Sequence, residues 1–187
     1  MSRLPHLLTT LDLPAAELAS MRLDGEVYAL GDGWCPIDVL EGPIHRALAA
    51  RGTRSPRLIA ELATAAWVWG ALPAAPSTAE FCVDLAARAR VRTSGLVRVR
   101  ELALEEGDCV QLGAAAVTSP LRTAVELARC RNQLSAREEN AVVELSRLGG
   151  FGLVDCLEFL TRRRKLPDKR RAILRLTELL TQPAFTR

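Results

Sequence analysis

Aromatic residues make up only 4% of this chain, so the exposed rings that single-stranded nucleic acid stacks upon have few candidates. Histidine is nearly absent: His6 and His45 stand alone, which leaves a zinc site without its usual nitrogen ligands. The five cysteines, Cys35, Cys82, Cys109, Cys130 and Cys156, are odd in number and widely spaced, with no CxxC. They read as reduced thiols, mostly in the core, of a cytoplasmic protein. No basic start followed by an apolar stretch opens the chain, so no signal peptide is expected. The longest apolar segment, LIAELATAAWVWGAL, is too short to span a bilayer and contains Glu61, so no membrane partner is expected either. GxSxG, HExxH, a phosphate-binding Walker loop and a Gly-rich dinucleotide turn are all missing. The expectation is therefore a protein that is not an enzyme and carries no cofactor.

What is present is an ordinary globular composition: 187 residues, 49% apolar and 25% charged, with a net charge of +3. The charge is unevenly placed. Up to His45 the acids are Asp12, Glu17, Asp24, Glu26, Asp32, Asp38 and Glu41, against Arg3 and Arg22 alone. Near the other end, Arg162, Arg163, Arg164, Lys165, Lys169, Arg170, Arg171 and Arg175 face only Asp168. An acidic head and a basic tail orient a molecule on any charged partner. The basic run is the candidate binding site for nucleic acid or an acidic partner, weighed against a solvated turn between two helices.

Local patterns give the order of elements. Residues 4–10 suggest a short helix, and Pro14 suits the first turn of a second one with Ala15, Leu18, Ala19 and Leu23 along one side. EVYAL and WCPI flank Gly31-Asp32-Gly33, a tight hairpin signal. EGPIHRALAARG is a helix stopped by Gly52, and Thr64 is the expected cap of TAAWVWGAL, with Trp67 in its core face and Trp69 partly exposed. EFCVDL, GLVRVREL and DCVQLGAAAVT read as strands. Ser119-Pro120 opens the helix LRTAVELARC, where Arg122 and Glu126 form an expected surface pair at i,i+4. Ser135 and Glu138 make a capping box for AREENAVVELSRL, and two further helices follow. Glu105, Glu106 and Asp108 read as a solvated acidic turn, less readily as a metal site. Cys109 as a nucleophile has no histidine nearby in sequence. The expected fold class is α+β: a small winged-helix-like module over residues 1–52, then, over 53–187, a central mixed or antiparallel β region with helices and a helical C-terminus.

Three segments in this order carry a resemblance: DGEVYALGDGW (Asp24 to Trp34), TAAWVWG (Thr64 to Gly70) and VTSPLRTAVELAR (Val117 to Arg129). The chain resembles actinobacterial proteins of the AbiEi antitoxin type, from type IV toxin–antitoxin pairs. The resemblance implies a winged helix-turn-helix that binds promoter DNA, and a second domain that antagonises a nucleotidyltransferase toxin. Some relatives continue into an endonuclease, which is not expected after QPAFTR. The head departs from the family pattern: it is short, its presumed recognition helix offers Glu17, Ser20 and Arg22, and its wing carries Glu26 and Asp32. Phosphates repel carboxylates. A protein–protein adaptor with a degenerate winged helix, binding no nucleic acid, is the alternative.

Overall fold

The structure, a computed structural model, describes residues 7–87, 95–163 and 166–181. The architecture is α+β with a helical C-terminus. Helix α1 (Ala15–Leu23) leads into the hairpin β1 (Val27–Leu30) and β2 (Gly33–Pro36), followed by α2 (Pro43–Arg51). A mixed sheet with order β5-β4-β3-β7-β6 forms the body, from β3 (Ile59–Ala60), β4 (Ala79–Asp84), β5 (Val97–Leu102), β6 (Cys109–Leu112) and β7 (Ala115–Thr118). Helix α3 (Leu62–Trp69) joins β3 to β4; α4 (Pro120–Cys130), α5 (Ala136–Gly149), α6 (Leu153–Arg162) and α7 (Lys169–Thr181) close the chain. Among the described residues no helix is long and apolar enough to cross a membrane.

The hairpin forms where the sequence asks for it. Leu30 pairs with Gly33, leaving Gly31 and Asp32 as the loop, and Gly31 takes the left-handed φ of 55° that a Cβ would disfavour. Alternation then gives the ribbon two faces. Val27 and Trp34 pack with Leu18 of α1 and with Leu8 in a small satellite core, while Tyr28, Leu30 and Cys35 join the main core. Leu8 bridges Trp34 in antiparallel fashion, so the helix expected over residues 4–10 is replaced at Leu8 by an extended contact; residues 4–6 lie outside the described residues. Backbone pairing with an exposed hairpin edge outcompetes one short helical turn.

The hairpin tip closes onto α2 and does not project. Asp32 donates its N–H to the Ala49 carbonyl at 3.4 Å, and its carboxylate accepts from Arg54 at 2.5 Å. A Cβ on Gly31 would stand 3.1 Å from the Ala49 Cβ. Gly31→Ala therefore meets both backbone strain and a close contact, and is expected to cost about 1–2 kcal/mol in urea denaturation. Gly107→Ala also has a positive φ but open space around it, so its loss should be the smaller.

Packing continues across the turn at Gly52. Ala47, Ala49 and Ala50 of α2 share one core with Leu58, Ala65, Val68, Phe81 and Val117 of the body. Local signals hold in the C-terminal half. Ser119 accepts the Arg122 N–H and Pro120 fills the first helical position. Ser135 and Glu138 form the expected capping box, and Gly150 ends α5 in the left-handed conformation. Two expectations fail locally. Helix α3 begins at Leu62, before Thr64, and the Thr64 hydroxyl instead accepts the Glu80 N–H at 2.8 Å. In α1 only Leu18 is buried, and Leu23 stands in solvent.

Candidate functional site

The polar face of the β4–β5 ribbon sets up the charge arrangement. Register places Glu80 beside Arg98 and Cys82 beside Arg100, on the side opposite Phe81 and Val99. Arg100 reaches Glu61, which lies between β3 and α3, through a two-pronged fork: Nε donates to Oε1 at 2.7 Å and Nη2 to Oε2 at 2.5 Å. Its Nη2 also meets Glu126 of α4 at 3.3 Å. Glu126 is fully buried and gathers Arg122 at 3.0 Å and Arg129 at 2.6 Å, with the Cys130 thiol donating at 3.1 Å. Arg122 continues to Asp108 at 2.8 Å, and Asp108 also accepts from Arg163. A chain of alternating charges thus runs from Glu61 to Arg163 through the interior.

Electrostatics follow from that burial. Desolvation alone would raise the Glu126 carboxyl, but Arg122 and Arg129 overrule it and hold the group below the ordinary carboxylate range. Glu61 is raised, because burial outweighs its fork with Arg100. Burial also pushes the thiols up, Cys109 and Cys130 each to about 11, so neither is a thiolate at neutral pH. Among the described residues, no group of three or more His, Cys, Asp or Glu is placed to hold a metal ion.

The acidic turn read as solvated is therefore a half-internal anchor. Asp108 is buried, accepting from Arg122, Arg163 and the Glu105 N–H, while Glu105 and Glu106 remain at the surface. The expected Arg122–Glu126 pair exists, but in the core instead of on the helix surface. The reason is that α4 is covered on all sides, packing with α3, α5, α6 and α7. Trp67 is buried as expected, and Trp69 donates its indole N–H to the Thr118 carbonyl at 2.8 Å.

The basic run divides by role. Arg163 lies over the Phe159 ring at 3.5 Å and binds Asp108. Arg171 donates twice to the Arg129 carbonyl, at 2.7 and 3.1 Å. Arg175 donates to the carbonyls of Ala128, Arg131 and Asn132. Arg171 and Arg175 thereby cap the C-terminal end of α4, where a helix leaves carbonyls without partners and favours cations. Arg162 is exposed and pairs with Glu158 at 3.2 Å. The side chains of Lys169 and Arg170 carry no hydrogen bond or ion pair among the described residues, and Arg164 and Lys165 lie outside them.

The head presents a different surface, which sequence reasoning missed. Leu23 is 89% exposed, Ile37 66% and Leu40 91%. They flank the open end of the hairpin, where the Ile37 N–H donates to the Glu26 carbonyl. Asp24, Glu26 and Asp38 are exposed among them. The available signal was the weak apolar face of α1, whose leucines do not share one buried side.

No family model matches the chain. No curated protein matches it. Among solved structures, the chain is similar to the RV2827C protein from Mycobacterium tuberculosis, at 18% identity and a TM-score of 0.48, over 94% of this chain and 71% of that one.

Proposed function

We propose that the protein is a non-enzymatic regulator that works by docking on a partner protein through its acidic head. One observation carries this reading: three large apolar side chains, Leu23, Ile37 and Leu40, stand in solvent within an acidic surround. Apolar anchors among predominantly acidic side chains, Asp24, Glu26 and Asp38 against Arg22 alone, are suited to a partner with the opposite sign and matching apolar pockets. The resemblance to AbiEi-type antitoxins supplies the class of partner, a nucleotidyltransferase toxin, and the acidic head calls for a basic contact surface on it. Sequencing the flanking genes for a nucleotidyltransferase, and calorimetric titration with its product, test the reading. Leu23→Asp and Leu40→Asp are each expected to weaken binding by roughly thirtyfold, about 2 kcal/mol. Both positions are exposed, so urea midpoints should stay unchanged. A partner that binds both variants as tightly as the wild type, or the absence of any such neighbour, removes the reading.

A second reading, promoter binding as a transcription regulator, is favoured by Lys169 and Arg170, whose charges have no partner among the described residues. Mobility shift with the upstream DNA then shows a salt-sensitive complex that Lys169→Ala with Arg170→Ala weakens. A complex indifferent to salt and to both changes counts against it.

A further inference from the structure

A cavity of about 540 Å³ opens between the loop that follows α3 and the start of α5. Its elements are other than those of the acidic head. One wall is the segment Pro73 to Thr78, whose two prolines, Pro73 and Pro76, fix its backbone. Leu72 and Ala63 make that side apolar. Facing it are three arginines from three places in the chain: Arg98 on β5, Arg131 just past α4, and Arg137 in the first turn of α5.

The carboxylates in the wall are already committed. Arg131 grips Glu80 with two N–H groups, each at 2.7 Å, and donates from Nε to Glu138 at 2.6 Å. Glu80 further accepts the Ala63 N–H at 3.1 Å, and Glu138 accepts from the Ser135 N–H and hydroxyl. The Glu80 carboxylate holds the Arg131 guanidinium above its ordinary value, keeping it fully charged. Arg98 is the register neighbour of Glu80 yet forms no ion pair with it. Neither the Arg98 nor the Arg137 side chain has a hydrogen bond or ion pair among the described residues, and both residues are exposed and line the cavity. Elsewhere the buried arginines are clamped by acids; here the Arg98 and Arg137 guanidiniums line one cavity and meet no acid among the described residues.

We propose that this cavity binds a small phosphate monoester, its phosphate gripped by Arg98 and Arg137 and its organic body laid on the Pro73–Pro76 wall. A guanidinium fork matches phosphate oxygens two at a time, and two such cations balance a dianion. Apolar walls with a few convergent polar groups are what a small-molecule site requires, and the volume lies in the range such sites occupy.

Calorimetry in a phosphate-free buffer tests this, with adenosine 5′-monophosphate and glucose 6-phosphate as ester probes and adenosine and inorganic phosphate as controls. At least one ester should bind saturably, more tightly than inorganic phosphate, and adenosine should not bind. Arg98→Ala and Arg137→Ala should each weaken the ester by about tenfold or more, whereas Arg147→Ala, at an exposed position on α5 away from the cavity lining, leaves it unchanged. Circular dichroism melts of these exposed-site variants should overlay the wild type. Four results overturn the proposal: neither ester saturating up to about 10 mM, binding that survives both arginine substitutions, adenosine binding as well as its phosphate, or inorganic phosphate matching the esters.

Discussion

Glu126→Ala is expected to lower the stability of the folded protein by about 3–5 kcal/mol, a large part of the whole for a domain whose net stability is only about 5–15 kcal/mol. Glu126 is fully buried and is the carboxylate shared by Arg122 and Arg129, with Arg100 at its margin. Removing it strands buried guanidinium charge. Arg122 retains Asp108, but among the described residues Arg129 keeps only a long bond to the Pro167 carbonyl at 3.4 Å. Glu126→Gln keeps the shape and an acceptor while removing the charge, so it should fall between wild type and alanine, at about 2–3 kcal/mol. Urea midpoints decide it, and an alanine variant within about 1 kcal/mol of wild type would show that the charge chain contributes little. The pH profile gives an independent reading. Glu126 and Glu138 have folded-state values below the ordinary one, so their contributions are present above the unfolded value and fade as pH falls through the folded values. Glu61 acts in the opposite sense: its raised value makes ionisation costly, so its penalty grows as pH rises from the unfolded value through the folded one. Glu126→Gln should therefore flatten the acid limb of the stability profile.

Much of the scaffold is legible because it is local. Gly31-Asp32-Gly33 marks the hairpin, Ser119-Pro120 starts α4, and Ser135 with Glu138 starts α5, each through hydrogen bonds spanning a few residues. The charge chain joins partners distant in sequence: Arg100 to Glu61, Arg131 to Glu80, Arg163 to Asp108. Sequence spacing shows that Arg122, Glu126 and Arg129 share one face of α4, but a polar stripe ordinarily turns to solvent, and that rule sends it the wrong way here. The better clue was Glu61, a carboxylate inside an apolar run that needs a cation brought from elsewhere. The exposed head leucines were hidden for the converse reason. Leu18 and Leu23 look alike in α1, and only the placement of the hairpin decides that Leu18 is covered and Leu23 is not.

Neighbouring arginines at the end of α6 should differ sharply when each is replaced by alanine. Arg162 is exposed and holds Glu158 one helical turn away at 3.2 Å, an arrangement worth a few tenths of a kcal/mol. Arg163 is packed against Phe159 at 3.5 Å from the ring centroid, binds Asp108, and meets Glu105 at 3.4 Å. Its loss removes a charge-assisted bond and a desolvated cation–π interaction, together about 2–4 kcal/mol. Arg162→Ala should stay within about 0.5 kcal/mol of wild type. Arg163→Lys separates the two contributions, since an ammonium keeps the charge for Asp108 but loses the flat guanidinium stacked on Phe159. The same pair decides what a nucleic-acid binding defect in this run means. A defect in Arg163→Ala accompanied by a lower urea midpoint is a folding defect, because that side chain is an internal strut between α6 and the Glu105–Asp108 turn. A defect in Lys169→Ala with Arg170→Ala at an unchanged midpoint reflects direct binding of phosphate by those two cations, which touch no acid among the described residues. If instead Arg162→Ala and Arg163→Ala unfold at the same urea concentration, the assignment of Arg163 to the interior is wrong and that side chain returns to the binding candidates with Lys169 and Arg170.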